Sequence, residues 1–109
     1  MPKRDGVRFL KGKFDRALVL EGPDESLNEY LTDQDIEFDR FERGADRGKI
    51  LECLREKQHD LLFKRSGFQV GREVLELSDN LAAVMLCCIG DDSVDKQACA
   101  DEGVMVMND

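Results

Sequence analysis

Short apolar runs alternate with amphipathic stretches along most of this chain, and no other feature of the sequence restricts its fold as strongly. The apolar runs are typical of strands and the stretches between them of helices, which gives the order β-α-β-α-β-α-β-α-β. Continuous apolar runs in the middle of such a chain predict an α/β fold with a parallel sheet covered on both faces. The predicted strands cover 17–20, 36–41, 61–63, 81–88 and 104–107, and the predicted helices cover 24–31, 45–57, 71–78 and 94–102.

The expected topology is a flavodoxin-like three-layer sandwich whose five-stranded parallel sheet has the order 2-1-3-4-5. The segment 36–41 alternates apolar and polar residues, which is typical of a half-exposed strand, so we place it at an edge. An exposed edge strand would also allow a homodimer. Right-handed crossovers then put the ligand-binding loops at the carboxyl ends of the strands. These loops contain 21–22, 65–67 and 88–92.

The composition of the chain disfavours several classes of function. A chain of 109 residues with 41% apolar and 37% charged residues fits one folded domain. Residues 1–14 form a basic leader, but the rest of the chain is acidic and the net charge is −8, which disfavours binding to nucleic acid. No apolar run approaches the roughly 20 residues of a membrane span, and no secretory signal is visible. We therefore expect a cytoplasmic protein with neither nucleic-acid nor membrane partners.

The sequence contains no motif that is typical of a metal site or of a nucleotide-phosphate site. Its four cysteines form no Cys-x-x-Cys pair and His59 is its single histidine, so we expect reduced core thiols, no metal site and a structural histidine. Gly44 and Gly48 are too closely spaced for a phosphate-binding P-loop, and Ile50 replaces the hydroxyl residue that such a loop needs. A glycine-rich dinucleotide fingerprint is also missing from these residues.

Arg65 is the strongest candidate for ligand binding. It ends an apolar strand at the predicted ligand edge and is followed by Ser66 and Gly67. A guanidinium group at such a position offers a planar fork to a carboxylate or a phosphate. An arginine that pairs with a surface acid would give the same pattern, and position alone leaves both interpretations open. The loop 88–90 adds backbone N–H groups near the same edge.

From Lys13 onward the sequence resembles the D-isomer-specific 2-hydroxyacid dehydrogenases, and most closely the D-3-phosphoglycerate dehydrogenases. The segment 61–66 resembles the family's apolar strand that ends in Arg-Ser, and 70–75 resembles the helix start that follows it. The segment 81–90 is similar to the family's next strand, which runs into a Cys-Ile-Gly form of the loop. Glu102–Asn108 is similar to the family's Arg-Gly-Ile-x-Val-x-Asn strand.

The resemblance implies that 15–109 is the substrate domain of an NAD-dependent oxidoreductase, with a role in serine biosynthesis. It further implies that Arg65 and Ser66 face the carboxylate or phosphate of a small acid substrate. The backbone of Cys88, Ile89 and Gly90 would then lie between substrate and nicotinamide, with Ile89 as the cofactor contact. It assigns neither a catalytic residue nor a metal ligand to this chain.

Several residues depart from the family pattern. Gly67 and Leu86 stand where family members carry a second substrate arginine, and Asp109 replaces the alanine of Asn-Ala-Pro. The dinucleotide fingerprint is missing, and His59 does not match the family's proton-shuttling histidine. We therefore expect a substrate-binding domain that needs an NAD-binding domain as its partner. On its own, this chain should bind no NAD and catalyse no turnover. The alternative is a stand-alone, non-catalytic binding or regulatory module for small carboxylates or a protein partner.

Overall fold

The computed structural model describes residues 14–65, 67–87 and 94–108, and strands and helices alternate along these residues. The five strands are all parallel and have the order β2-β1-β3-β4-β5, which confirms the predicted fold class and topology. The strands are β1 (Arg16–Val19), β2 (Glu37–Arg40), β3 (Leu61–Lys64), β4 (Ala83–Leu86) and β5 (Met105–Asn108), and the helices are α1 (Ser26–Asp33), α2 (Arg47–Lys57), α3 (Arg72–Leu77) and α4 (Lys96–Glu102).

The order of the strands decides which helix covers which face of the sheet. The step from β1 to β2 runs in one direction across the sheet, and the three later steps run in the other. Because every crossover has the same hand, α1 covers one face and the other three helices cover the opposite face. On that opposite face Leu18, Leu62 and Val84 of the sheet join one buried apolar cluster with residues of α2, α3 and α4. A second cluster joins Val19 and Phe63 to Leu31 of α1.

Strand β2 lies at the edge of the sheet, as its alternating pattern predicts. Its side chains are exposed or half-buried, whereas all four residues of β3 are buried. The register pairs Leu18 of β1 with Asp39 of β2 on one side and with Leu62 of β3 on the other. Strands β1 and β3 therefore form the centre of the sheet, and the segments that follow them meet at its carboxyl edge.

The expectation that the cysteines are core thiols holds for one of the three that can be described. Cys99 of α4 is buried, but Cys53 and Cys87 are only partly buried. Cys53 lies on α2 near the β2 edge, and Cys87 follows β4 at the carboxyl edge. Two of the described cysteines are thus only partly buried, and they lie in different parts of the fold. None of the helices in the described ranges is long and apolar enough to span a membrane.

Candidate functional site

Arg65 lies where the sequence predicted it, directly after β3 at the carboxyl edge of the sheet. Cys87 takes the matching position after β4, and its N–H donates to the carbonyl of Lys64 at 2.8 Å. The Arg65 side chain is half-buried, yet its guanidinium forms no hydrogen bond or ion pair with any other residue between 14 and 108 that the structure describes. This geometry favours a ligand-binding arginine over one that pairs with a surface acid.

A cavity of about 400 Å³ lies beside Arg65. Its other walls come from the loop after β1, the start of α1 and the end of β4. Tyr30 of α1 lines it and is 56% exposed. A mixed apolar cavity with one cation is of the size and character that small-molecule sites have. The lining residues are Pro23, Asp24, Ser26, Leu27, Tyr30, Arg65 and Cys87.

Glu21, which follows β1, holds the loop that carries Arg65. Its carboxylate accepts hydrogen bonds from the backbone N–H groups of Arg65 at 3.1 Å, Gly67 at 2.9 Å and Phe68 at 3.0 Å. Hydrogen bonds to a charged carboxylate are among the stronger ones in proteins. Sequence reasoning placed Glu21 at this edge but gave it no role. The available signal was an acid at the end of β1 next to a glycine-containing loop after the neighbouring strand.

Glu21 has an unusual backbone conformation, and its carboxylate lies close to Gly67, one of the positions that depart from the family pattern. Glu21 has a φ of 68°, in the left-handed region that costs an ordinary residue about 1–2 kcal/mol. A Cβ atom at Gly67 would lie 2.6 Å from Oε2 of Glu21, so a side chain there would displace this carboxylate from its present position. Leu86 is fully buried in the apolar core. Leu86 thus serves core packing, and Gly67 leaves room for the Glu21 carboxylate.

The remaining predicted site residues lie outside the part of the chain that can be described. These are Ser66, Cys88, Ile89 and Gly90, together with the acids at 91–92 and Asp109. Their assignment to substrate or cofactor stays a prediction.

A second cavity, of about 470 Å³, opens at the carboxyl ends of β1 and β2. Arg47 lines it with its guanidinium carbon 4.6 Å from the centre of the Phe68 ring, and it also pairs with Glu73 at 3.4 Å. The N-terminus of α2 borders the same cavity, but the Asp46 carboxylate already accepts the N–H of Lys49 at 3.1 Å. This helix start is thus occupied by the chain's own acid, which does not fit a dinucleotide phosphate site.

A different polar cluster lies on the α2 face near the β2 edge, at the other end of β3 from Arg65. His59 is fully buried, and its Nε2 lies 2.7 Å from Oδ2 of Asp39. Arg16 donates to the same oxygen at 3.0 Å. Cys53 of α2 completes the group, because its Sγ lies within 4.8 Å of ligand atoms on both Asp39 and His59. Sequence reasoning missed this group, since its members come from three separate segments.

Ionisation in this cluster follows from burial and from the hydrogen bonds. Burial lowers the pKa of His59, and the hydrogen bond to Asp39 opposes this shift without cancelling it. Burial acts to raise the pKa of Asp39, but hydrogen bonds from His59 and Arg16 outweigh it and leave that pKa lowered. Burial, followed by the charge of Asp39, raises the pKa of the Cys53 thiol. The cluster therefore holds a neutral imidazole, a carboxylate and a protonated thiol, which is not the arrangement of an activated cysteine nucleophile.

Comparison with protein families gives a match over nearly all of the described chain. The family described as D-isomer specific 2-hydroxyacid dehydrogenase, catalytic domain, matches residues 17–109. Among curated proteins, a D-3-phosphoglycerate dehydrogenase of Methanocaldococcus jannaschii is 32% identical over 65 residues. The aligned part is 60% of this chain but only 12% of that relative.

Solved structures show the same fold. A 3-phosphoglycerate dehydrogenase of Entamoeba histolytica with bound NAD⁺ superposes with a TM-score of 0.73 at 19% identity, over 86% of this chain and 32% of that one. An NAD-dependent formate dehydrogenase of Staphylococcus aureus, in complex with NAD, gives 0.72 at 16% identity, over 85% and 32%. The similarity thus covers most of this chain and about a third of each larger protein.

Proposed function

This chain belongs to the D-isomer specific 2-hydroxyacid dehydrogenase family, and from that premise we propose that it is a substrate-binding domain of an NAD-dependent oxidoreductase similar to D-3-phosphoglycerate dehydrogenase. One observation carries the proposal. Arg65 is half-buried and lines a cavity of about 400 Å³ at the carboxyl edge of a parallel sheet. Its guanidinium pairs with none of the described residues. Open α/β sheets bind their ligands at this edge.

Arg65 would bind the acid group of the substrate. A guanidinium group forms two parallel hydrogen bonds with a carboxylate or a phosphate, which fixes the orientation of the ligand as well as its position. Glu21 acts as a positioning residue, because its carboxylate fixes the backbone of Arg65 and of the two described residues after it. The substrate class is a small 2-hydroxy or 2-oxo acid. A role in serine biosynthesis would require the phosphorylated member of this class.

The nicotinamide cofactor would be bound by another part of the complete protein. The 109 residues contain no dinucleotide fingerprint, and the described helix start with nearby glycines is capped by Asp46. NAD supplies the hydride acceptor when it is bound, and this domain contributes binding and orientation of the acid. We accordingly propose that 15–109 is a substrate domain that does not turn over alone, in a cytoplasmic enzyme.

The cavity also contains a feature that favours the second candidate, a non-catalytic module that binds a protein partner. Asp24 lines the same cavity as Arg65. The backbone hydrogen bond from Ser26, and then the side-chain hydrogen bond from the same residue, lower the pKa of Asp24, so this wall is negatively charged at neutral pH. A negative wall weakens the binding of anions. The exposed ring of Tyr30 would then be a contact for a protein surface.

Calorimetric titration distinguishes the two functions. The probes are a small 2-oxo acid and 3-phosphoglycerate, and the proteins are wild type, Arg65→Ala and the control Arg55→Ala, whose side chain is exposed on α2. We expect Arg65→Ala to bind either acid at least about tenfold more weakly, since a bidentate charged pair is lost. Arg55→Ala should bind like the wild type. Equal binding by wild type and Arg65→Ala overturns the role of Arg65, and binding by none of the three proteins supports the partner-binding module.

A spectrophotometric assay tests the claim about catalysis. The wild-type chain is mixed with NAD and 3-phosphoglycerate, and the absorbance of reduced cofactor is followed. No reduction above the rate without protein is expected. Turnover that disappears in Arg65→Ala would contradict the assignment of the catalytic groups to another part of the protein.

A further inference from the structure

The side chains of Asp39, Cys53 and His59 meet on the α2 face of the sheet, and Arg65 follows the opposite end of β3 from His59. They offer a carboxylate oxygen, a thiol sulfur and an imidazole nitrogen, and these atoms all lie within 4.8 Å of one another. Each comes from a different packed element: β2, α2 and the segment before β3. The proposed function of the domain uses none of the three.

We propose that Asp39, Cys53 and His59 bind a divalent transition-metal ion with the preferences of Zn²⁺. Sulfur, imidazole nitrogen and carboxylate oxygen are the ligands that Zn²⁺ takes from proteins, usually with four ligands in a tetrahedral arrangement. This mixed set does not suit Ca²⁺ or Mg²⁺, because those ions prefer oxygen ligands. Three protein ligands leave one position for water, and the partial exposure of Cys53 gives an ion a path from solvent.

The hydrogen bonds of the cluster are compatible with a bound ion. The ring nitrogen of His59 that faces Asp39 is Nε2, at 2.7 Å from Oδ2, and an ion bound by both residues would replace the proton of this hydrogen bond. The ring proton would then lie on Nδ1, which is buried with no hydrogen-bond partner among the residues described. Both described contacts of the Asp39 carboxylate use Oδ2, so Oδ1 remains available.

Arg16 and, at Cys53, also Lys57 place positive charge near the site, which disfavours a bound cation. The Arg16 guanidinium is shared between Asp39 at 3.0 Å and Glu37 at 2.5 Å, so two carboxylates already balance it. A bound dication would meet the Asp39 carboxylate and a Cys53 thiolate, because metal binding releases the thiol proton. The two anionic ligands then match the charge of the ion.

Cobalt absorption tests the site, since Co²⁺ replaces Zn²⁺ and a Co²⁺–thiolate bond gives a charge-transfer band. The untagged chain is reduced, freed of metal with chelator and titrated with Co²⁺, then with Zn²⁺ as competitor. We expect a band that saturates, that Zn²⁺ removes, and that is lost in Cys53→Ser. The matched control is Cys87→Ser, which removes another partly buried thiol outside the cluster and should keep the band. No band, or a band lost in Cys87→Ser but kept in Cys53→Ser, overturns the site.

Alkylation gives a second readout that does not depend on the histidine variant folding. Trypsin releases Cys53 in its own peptide, 50–55, separate from the other three cysteines. We expect Zn²⁺ to slow alkylation of this peptide by about tenfold or more, because a metal-bound thiolate is not free to react. In His59→Gln and, independently, Asp39→Asn, the protection should require more Zn²⁺. Alkylation of Cys53 that is unchanged by Zn²⁺ contradicts the proposal.

Discussion

The two ends of the central strand pair β1–β3 are held by the same device, a carboxylate that accepts backbone N–H groups from the neighbouring strand or loop. At the amino end, Asp60 accepts the N–H of Asp15 at 2.8 Å and of Arg16 at 3.1 Å. At the carboxyl end, Glu21 accepts N–H groups from the loop after β3. One acid thus reaches from β3 to β1, and the other from β1 to β3.

The two ends differ in what happens to the nearby arginine. At the amino end Arg16 is paired with both Glu37 and Asp39. At the carboxyl end Arg65 is unpaired among the described residues and borders a cavity. An arginine that acids already pair, such as Arg16, therefore does not indicate an anion site in this fold. The informative feature is a cation that the fold positions but does not neutralise.

Removal of the amino-end carboxylate should have the largest effect on stability. Asp60 is only 1% exposed, and Asp60→Ala leaves two backbone N–H groups without their charged acceptor. We expect a loss of about 3 kcal/mol in the free energy of unfolding, measured by urea denaturation. The control Asp33→Ala removes an exposed acid at the end of α1 and should change little. A loss of unfolding free energy smaller than that of the Glu21 variants would mean that the carboxyl end contributes more to stability than the amino end.

At the carboxyl end, Glu21→Ala and Glu21→Gly separate the hydrogen bonds from the backbone strain. Both variants lose the carboxylate, but glycine accepts the left-handed conformation that Glu21 adopts with a φ of 68°. We expect a loss of about 2 kcal/mol for alanine and about 1 kcal/mol for glycine by urea denaturation. Glu76→Ala, an exposed acid on α3, is the control. Equal losses for the two variants would show that no strain is stored at this position.

The amino-end network should also make the fold sensitive to acid. The pKa of His59 is lowered from 6.5 by burial, so the unfolded chain takes up the proton first as the pH falls. Stability is then complete above pH 6.5 and is lost as the pH falls through the folded-state pKa, by at most about 1.4 kcal/mol per pH unit. The lowered pKa of Asp39 acts in the same direction below pH 3.8.

Urea denaturation between pH 7 and pH 5, with chelator present to exclude metal ions, measures this slope. His59→Gln keeps a hydrogen-bonding side chain without the titration, so its stability should change less over that range. A wild type that gains stability on acidification, or a variant with the same slope, would disagree with a buried neutral imidazole.

An ion pair away from both ends should have the smallest effect. Arg72 of α3 and Asp101 of α4 lie 2.9 Å apart at the surface. Their hydrogen bond raises the pKa of Arg72 and lowers that of Asp101, but both side chains are exposed and water screens the pair. Asp101→Asn should leave the urea midpoint unchanged. A clear shift would mean that contacts between exposed helices matter as much as those at the strand ends.

The fold can be predicted well from the sequence, because residues that are adjacent in the chain indicate each strand and helix. Each strand and helix of the structure has its own apolar pattern, and the rule for crossovers then limits the order of the strands. The ends of the strands are harder to predict, because an apolar run indicates burial and not hydrogen bonding to a neighbouring strand. The run 81–88 predicts a longer strand than β4 (Ala83–Leu86). The N–H of Leu81 bonds to the carbonyl of Ser78 in a turn, whereas Ala82 and Cys87 still hydrogen-bond to neighbouring segments of the sheet.

The site is only partly predictable for the same reason. Arg65 could be identified because its strand, its end and its following residues are contiguous. Glu21 meets the Arg65 loop across 44 residues, and Asp39 meets His59 across 20. Such contacts depend on register and side-chain direction, which one sequence does not encode locally. The Asp39–Cys53–His59 cluster therefore appears only in three dimensions.

The most direct test of the central claim observes the Arg65 side chain itself. In ¹⁵N-labelled protein the Nε–H signal of each arginine is followed by NMR during titration with 3-phosphoglycerate and with a small 2-oxo acid, and Arg65 is assigned by comparison with Arg65→Lys. We predict that the Arg65 signal shifts and saturates with ligand, while those of Arg16 and Arg55 do not move. An Arg65 signal that stays fixed while another arginine shifts and saturates would contradict the account.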